Sequence, residues 1–189
     1  MIVILNKAAG QKPAEDPKKI RELFRERGVE AEVVHAGNGA NLAEIACKAV
    51  KEKARTIVAG GGDGTISTVA AALVGTEKRL GVLPLGTLNH FAKDLKIPLE
   101  LEKAVNTIAG GYCEQVDVGE VNGTIFINNS SLGLYPRIVR KREQQQERLG
   151  RGKWPAFLSS AIDAFRRYPF LDLRITLEGE KLFRRTAFL

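Results

Sequence analysis

Cysteine and histidine are scarce in this chain: two of each among 189 residues, beside a single tryptophan and a single methionine. Cys47 and Cys113 lie far apart and make no metal-ligand spacing, so they read as reduced, small core residues of a cytosolic protein. His35 and His90 stand alone, without companions at metal spacing, which argues against a histidine-held metal. No apolar run approaches the roughly 18–20 residues that span a bilayer. Met1-Ile2-Val3-Ile4-Leu5 starts straight into a strand without a basic leader, so no signal peptide is expected and the chain is placed in the cytoplasm. There is no G-x-x-x-x-G-K-[ST], which excludes a Walker-type site, and no G-x-G-x-x-G, which removes the dinucleotide fingerprint. G-x-S-x-G is absent too, and with it the nucleophile elbow.

What the chain does have is glycine where strands end. Val58-Ala59-Gly60-Gly61-Gly62-Asp63-Gly64-Thr65-Ile66 runs a β-branched strand into a turn almost without side chains. Glycines there permit positive φ and let backbone approach a ligand that any Cβ would block. A helix opening near Thr65 would turn free N–H groups and its positive dipole end toward that turn, a geometry suited to phosphate. A tight strand-to-helix turn with no ligand is the plainer reading, and it does not call for so many glycines.

Strand and helix patterns alternate through the first half. Ile2 to Leu5, Ala31 to His35, Thr56 to Val58 and Leu80 to Leu83 read as buried strands. Pro17 to about Arg27, a stretch capped at Asn41, Thr65 to Val74 and a stretch carrying Leu101, Val105 and Ile108 read as helices. This order predicts an α/β fold, a mostly parallel doubly wound sheet with right-handed crossovers. Ligands bind such sheets at the carboxyl ends of the strands, where the turns 6–10, 60–65 and 84–89 all fall, with His35 at a fourth strand end.

Beyond about residue 111 the pattern changes. Gln115 to Val121 and Thr124 to Asn128 alternate as strands around Asn122-Gly123, a strong hairpin signal. Trp154 to Tyr168 looks helical, and Leu171 to Leu177 with Lys181 to Leu189 suggests a second hairpin around Gly179. Two domains are therefore expected: a nucleotide-binding α/β domain over 1–111, and over 112–189 the unfinished start of an antiparallel β-sandwich with one or two helices.

Net charge is +7, and Arg137 to Lys153 holds seven basic residues against Glu143 and Glu147. Such runs are commonly solvated helix faces. The sharper reading is a patch for anionic lipid headgroups or nucleotide phosphate. Nucleic acid is not expected as a partner, because no interleaved aromatics or nucleic-acid module accompany the charge.

Gly61-Gly62-Asp63-Gly64-Thr65 with Pro84-Leu85-Gly86-Thr87-Leu88-Asn89-His90-Phe91-Ala92, preceded by Asn6 and Gly10 at the first strand end, resembles the catalytic domain of the diacylglycerol kinase family. The likeness is greatest to bacterial soluble lipid kinases, with sphingosine kinases and NAD kinases more distant, and extends through Val116-Asp117-Val118-Gly119 and Phe126 to Gly133. It implies ATP- and Mg²⁺-dependent phosphorylation of a diacylglycerol-like lipid hydroxyl, with peripheral contact to an anionic membrane and homodimer formation left open. By that resemblance Gly61, Gly62, Gly64 and Thr65 would cradle the phosphates with Gly86, Thr87 and Asn89, while Asn6, Gly10 and His35 would flank the nucleotide. Asp63 would be the catalytic carboxylate, holding Mg²⁺ or orienting a hydroxyl; on the plain reading it is a helix N-terminal carboxylate, and Asn89 a helix cap.

The departures from the pattern matter. Lys7 replaces the usual proline of the first loop, His90 stands where many relatives carry an aspartate, and Thr68 where an acidic residue is common. Family members run well beyond this chain, and their second domain supplies a metal site and a late Leu-Asp-Gly-Glu motif with the proposed base. Leu177-Glu178-Gly179-Glu180 mimics that motif but sits at a hairpin tip, where glycine serves the turn. The chain is therefore expected to lack its general base and to bind nucleotide with little or no turnover. An NAD-kinase-like phosphotransferase and a non-catalytic nucleotide or lipid sensor are the competing readings.

Overall fold

Four of the apolar runs become parallel strands: β1 (Ile2–Asn6), β2 (Glu32–Ala36), β3 (Thr56–Gly61) and β4 (Arg79–Pro84). The computed structural model describes residues 1–6, 16–37, 39–129, 171–177 and 180–186. The sheet order is β2-β1-β3-β4. Between the strands run α1 (Pro17–Arg25), α2 (Gly39–Lys51) and α3 (Asp63–Leu73), followed after β4 by the short α4 (His90–Asp94) and by α5 (Leu101–Ala109).

Side chains alternate across a strand, and here both faces are apolar. Ile2, Ile4, Ile57, Ala59 and Val82 pack with Leu42, Ala46, Ile66, Val69 and Phe91 from α2, α3 and α4. Val3, Leu5, Val58 and Leu83 pack with Ile20, Leu23, Phe24, Ala104 and Val105 from α1 and α5. Each buried Leu, Ile, Phe or Val contributes about 1.5–3 kcal/mol, so both layers hold the sheet. Strand direction explains the split. The chain steps one way from β1 to β2 and back past β1 to reach β3, so crossovers of one hand put α1 and α2 on opposite faces.

Several elements differ from expectation at their ends. α2 starts at Gly39 rather than after Asn41, whose Oδ1 accepts a hydrogen bond from the Gly37 N–H at 3.2 Å from within the helix. Cys47 and Cys113 are free but exposed, not core residues. On α2 the buried positions are Leu42, Ala46 and Ala49, and Cys47 falls outside that stripe.

The Asn122-Gly123 turn forms as expected, with both residues at positive φ (50° and 77°). Its strands are shorter than expected, β5 (Gly119–Val121) and β6 (Thr124–Phe126), paired antiparallel. The chain divides into two compact units, Met1–Asn129 and Ser130–Leu189, so this hairpin belongs with the parallel sheet. In the second unit, β7 (Leu171–Leu177) pairs antiparallel with β8 (Glu180–Thr186). The expected helix over 154–168 and the basic run 137–153 lie outside the described residues. Among the described residues no helix is long and apolar enough to cross a membrane.

Candidate functional site

The strand order sets where a ligand can enter. β1 and β3 are neighbours, yet the helices that follow them in the chain, α1 and α3, pack on opposite faces of the sheet. That reversal marks the switch point of the sheet, and doubly wound sheets bind ligands in the crevice outside the carboxyl ends of the strands there. Asn6 ends β1 and Gly61 ends β3. Across the gap the Asn6 amide donates from Nδ2 to the Thr65 hydroxyl oxygen at 3.0 Å. Thr65 is buried, 4% exposed, so this bond fixes the first turn of α3 to the end of β1.

The glycine turn is built differently from the sequence expectation. None of Gly60, Gly61, Gly62 or Gly64 adopts a positive φ; Gly62 is extended (φ −86°, ψ −177°) and α3 begins at Asp63, two residues before the expected start. What requires these glycines is crowding. A Cβ on Gly60 would run into the Leu5 side chain, and one on Gly61 into Thr65. A Cβ on Gly86 would collide with the Gly62 Cα and lie 2.8 Å from Asn89 Oδ1. The two glycine turns thus touch backbone to backbone, and the Leu85 N–H donates to the Gly61 carbonyl at 3.0 Å.

Gly64 is the exception. It is exposed, at an ordinary helical position, and a Cβ built on it meets nothing within 4 Å. The fold places no demand for glycine there. The Thr65 and Ile66 N–H groups both donate to the Gly62 carbonyl (2.9 and 3.1 Å). The amides of Asp63 and Gly64, at the first two helical positions, have no acceptor within α3. Bare Cα, orphan amides and the dipole of an eleven-residue helix coincide at one point on the crevice rim, which is the chemistry of an anion seat.

Asn89 is turned inward rather than capping α4. It sits in the left-handed region with no side-chain bond to that helix. Its Oδ1 accepts from the Gly86 N–H at 3.0 Å, and its Nδ2 donates to the Pro84 and Gly86 carbonyls at 3.1 and 2.9 Å. Asn89 ties the second turn into a closed arc from which Thr87 and Leu88 project into solvent. Asp63 is half-buried, and both its oxygens accept backbone N–H groups of α4.

His35 pairs in register with Leu5 near the end of β2, and its Nδ1 is shielded from solvent without a hydrogen-bond partner among the described residues. Asn6, His35, Gly61, Gly62, Asp63, Gly64, Thr65, Gly86, Thr87 and Asn89 all lie at the carboxyl ends of β1 to β4; Gly10 and Lys7 lie outside the described residues. Two contacts had no signal in the sequence: Gly86 against Gly62, and Asp63 against α4. Both join residues distant in the chain.

A family model, the diacylglycerol kinase catalytic domain, matches residues 1–121. The chain is 36% identical over 138 residues to "Probable lipid kinase YegS" of Escherichia fergusonii, covering 69% of this chain and 46% of that protein. It is 34% identical over 150 residues to "Probable lipid kinase YegS-like" of Citrobacter koseri, covering 77% and 49%. The chain thus spans about half the length of the curated relatives it matches. A crystal structure of a diacylglycerol kinase from Bacillus anthracis superposes with a TM-score of 0.69 over 99% of this chain and 61% of that one, at 22% identity, a likeness of fold.

Proposed function

Because this chain belongs to the diacylglycerol kinase catalytic domain family, we propose that residues 1–129 form the ATP-binding half of a lipid kinase that phosphorylates the hydroxyl of a diacylglycerol-like lipid. The observation that carries this reading is Gly64, a glycine the fold does not need, beside two amides without helical acceptors. A Cβ there would fill the space that a phosphate oxygen needs to reach the Asp63 and Gly64 N–H groups. ATP supplies the γ-phosphoryl group, and phosphoryl transfer asks the protein mainly for positioning and charge stabilisation.

Each part of the rim then has a role. The amides of Asp63 and Gly64 hold phosphate oxygens, and Thr87 offers a hydroxyl from the neighbouring arc. Asn6 keeps Thr65 and the start of α3 in place, and the half-buried His35 ring is proposed to flank the nucleotide at the β2 end. Gly10 is proposed to flank the nucleotide with Asn6. Among the described residues no three of His, Cys, Asp and Glu gather into a metal cage. Mg²⁺ is therefore proposed to enter on the phosphates, as it commonly does, with Asp63 the carboxylate of the turn that meets it.

Transfer of labelled phosphate from γ-labelled ATP to a lipid extract, with Mg²⁺ and vesicles carrying diacylglycerol, tests the assignment in a protein as long as the relatives. Labelled lipid supports it; ATP binding with label passing only to soluble alcohols contradicts it. Contact with an anionic membrane is proposed for the 137–153 run on its charge alone. Changing Arg140, Lys141 and Arg142 to glutamate is expected to weaken binding to phosphatidylserine vesicles at low salt, and the difference should fade as salt screens it. Equal partitioning of variant and parent in a vesicle sedimentation assay would assign that run to ordinary solvation.

A further inference from the structure

α4 begins without a cap of its own. The preceding residue, Asn89, has φ 51° and ψ 49° and no side-chain bond to the helix, since its amide group is engaged with Pro84 and Gly86. The exposed start of α4 is closed from the first residue of another helix. Asp63 Oδ2 accepts from the His90 N–H at 3.1 Å, and Oδ1 accepts from the Phe91 N–H at 3.0 Å. A carboxylate engaged through both oxygens fixes direction as well as distance. Because Asp63 is also the first residue of α3, one negative charge lies at the positive ends of two helices. Phe91 is 5% exposed and shares a core layer with Ile66 and Val69 of α3, so α4 is anchored on its apolar side as well.

The arc that carries Thr87 is therefore pinned at both ends. At one end Gly86 lies against Gly62; at the other, α4 hangs from Asp63. From this juxtaposition we infer that Asp63 is a positioning residue: acting through the His90 and Phe91 amides, it sets the 86–89 arc against the amides of Asp63 and Gly64, whether or not a metal is bound. The inference rests on the reading of that turn as a phosphate seat. A carboxylate serving only as a magnesium ligand would leave the start of α4 indifferent to its loss.

Two readouts on the wild-type chain, Asp63→Asn and Asp63→Ala decide the matter, after circular dichroism shows that the variants fold. One is amide hydrogen exchange without nucleotide. The other is ATP affinity, measured with Mg²⁺ and again in EDTA. Exchange at His90 and Phe91 is expected to speed up about tenfold or more in Asp63→Ala, and less in Asp63→Asn, which keeps one acceptor oxygen. Sheet amides such as Val58 and Val82 should keep their protection. ATP affinity should fall about tenfold in Asp63→Ala in EDTA, and at least as far with Mg²⁺. Unchanged exchange at both amides, or an affinity loss seen only when Mg²⁺ is present, overturns the positioning role and leaves the kinase reading standing. A wild-type chain that takes up no ATP overturns both.

Discussion

Replacing Gly86 by alanine is expected to lower the melting temperature of this protein by roughly 10 °C, from a cost of about 3 kcal/mol. The added methyl would meet the Gly62 Cα and lie 2.8 Å from Asn89 Oδ1. Over-packing costs about 1–3 kcal/mol where side chains can shift aside. Here the opposing group is main chain, and Gly62 is held because its carbonyl accepts from Thr65 and Ile66 at the start of α3. The arc cannot retreat either, since Asn89 closes it with three hydrogen bonds. Thermal unfolding followed by circular dichroism checks this. A melting temperature equal to the parent's would mean that the two turns are not in contact.

Gly64→Val should do the opposite. The side chain would enter open space at an ordinary helical position, and valine is no worse a helix former than glycine, so stability should stay within about 1 kcal/mol of the parent. ATP binding should fall by about a hundredfold or more, because two charge-assisted hydrogen bonds at about 1.5–3 kcal/mol each would be obstructed. Calorimetric titration of parent and variant measures it. Unimpaired binding by a well-folded variant would show that the ligand sits elsewhere. The contrast between the two glycines matters more than either alone: the fold needs one, and the other is proposed to serve only what binds.

Much of the fold was legible because periodicity and punctuation agreed. Continuous runs such as Ile2 to Leu5 are apolar on both faces, as parallel strands covered by helices must be, and Asn122-Gly123 specified its own turn. Element ends were less legible. α2 starts ahead of Asn41 and α3 ahead of Thr65, because glycines at these borders suit an extended turn or a first helical position alike. The site was legible as a set of turns at strand ends, but the reason for each residue was not. The glycines of the 60–65 turn were read as allowing positive φ or close approach to a ligand; none takes positive φ, and Gly60, Gly61 and Gly86 are packed against the protein itself. Asn89 was read as a helix cap or a ligand contact; its side chain does not cap α4 but ties its own turn together. Contacts such as Gly62 with Gly86, or Asp63 with α4, depend on how β3 and β4 lie side by side, which one-dimensional spacing does not encode. The exposed cysteines follow from the same gap: which side of α2 Cys47 takes is settled by packing, not by its polarity.

The claim beneath all of this is that main chain at the carboxyl rim, at the start of α3, seats the phosphates of ATP. Backbone amide resonances of the isotope-labelled chain, followed during titration with ATP, test it most directly. The account predicts that the Asp63 and Gly64 amides shift most and saturate together, while amides at the opposite, amino-terminal edge of the sheet, such as Glu32 and Arg79, stay in place. Saturable shifts that spare residues 61–65 and gather elsewhere would contradict it.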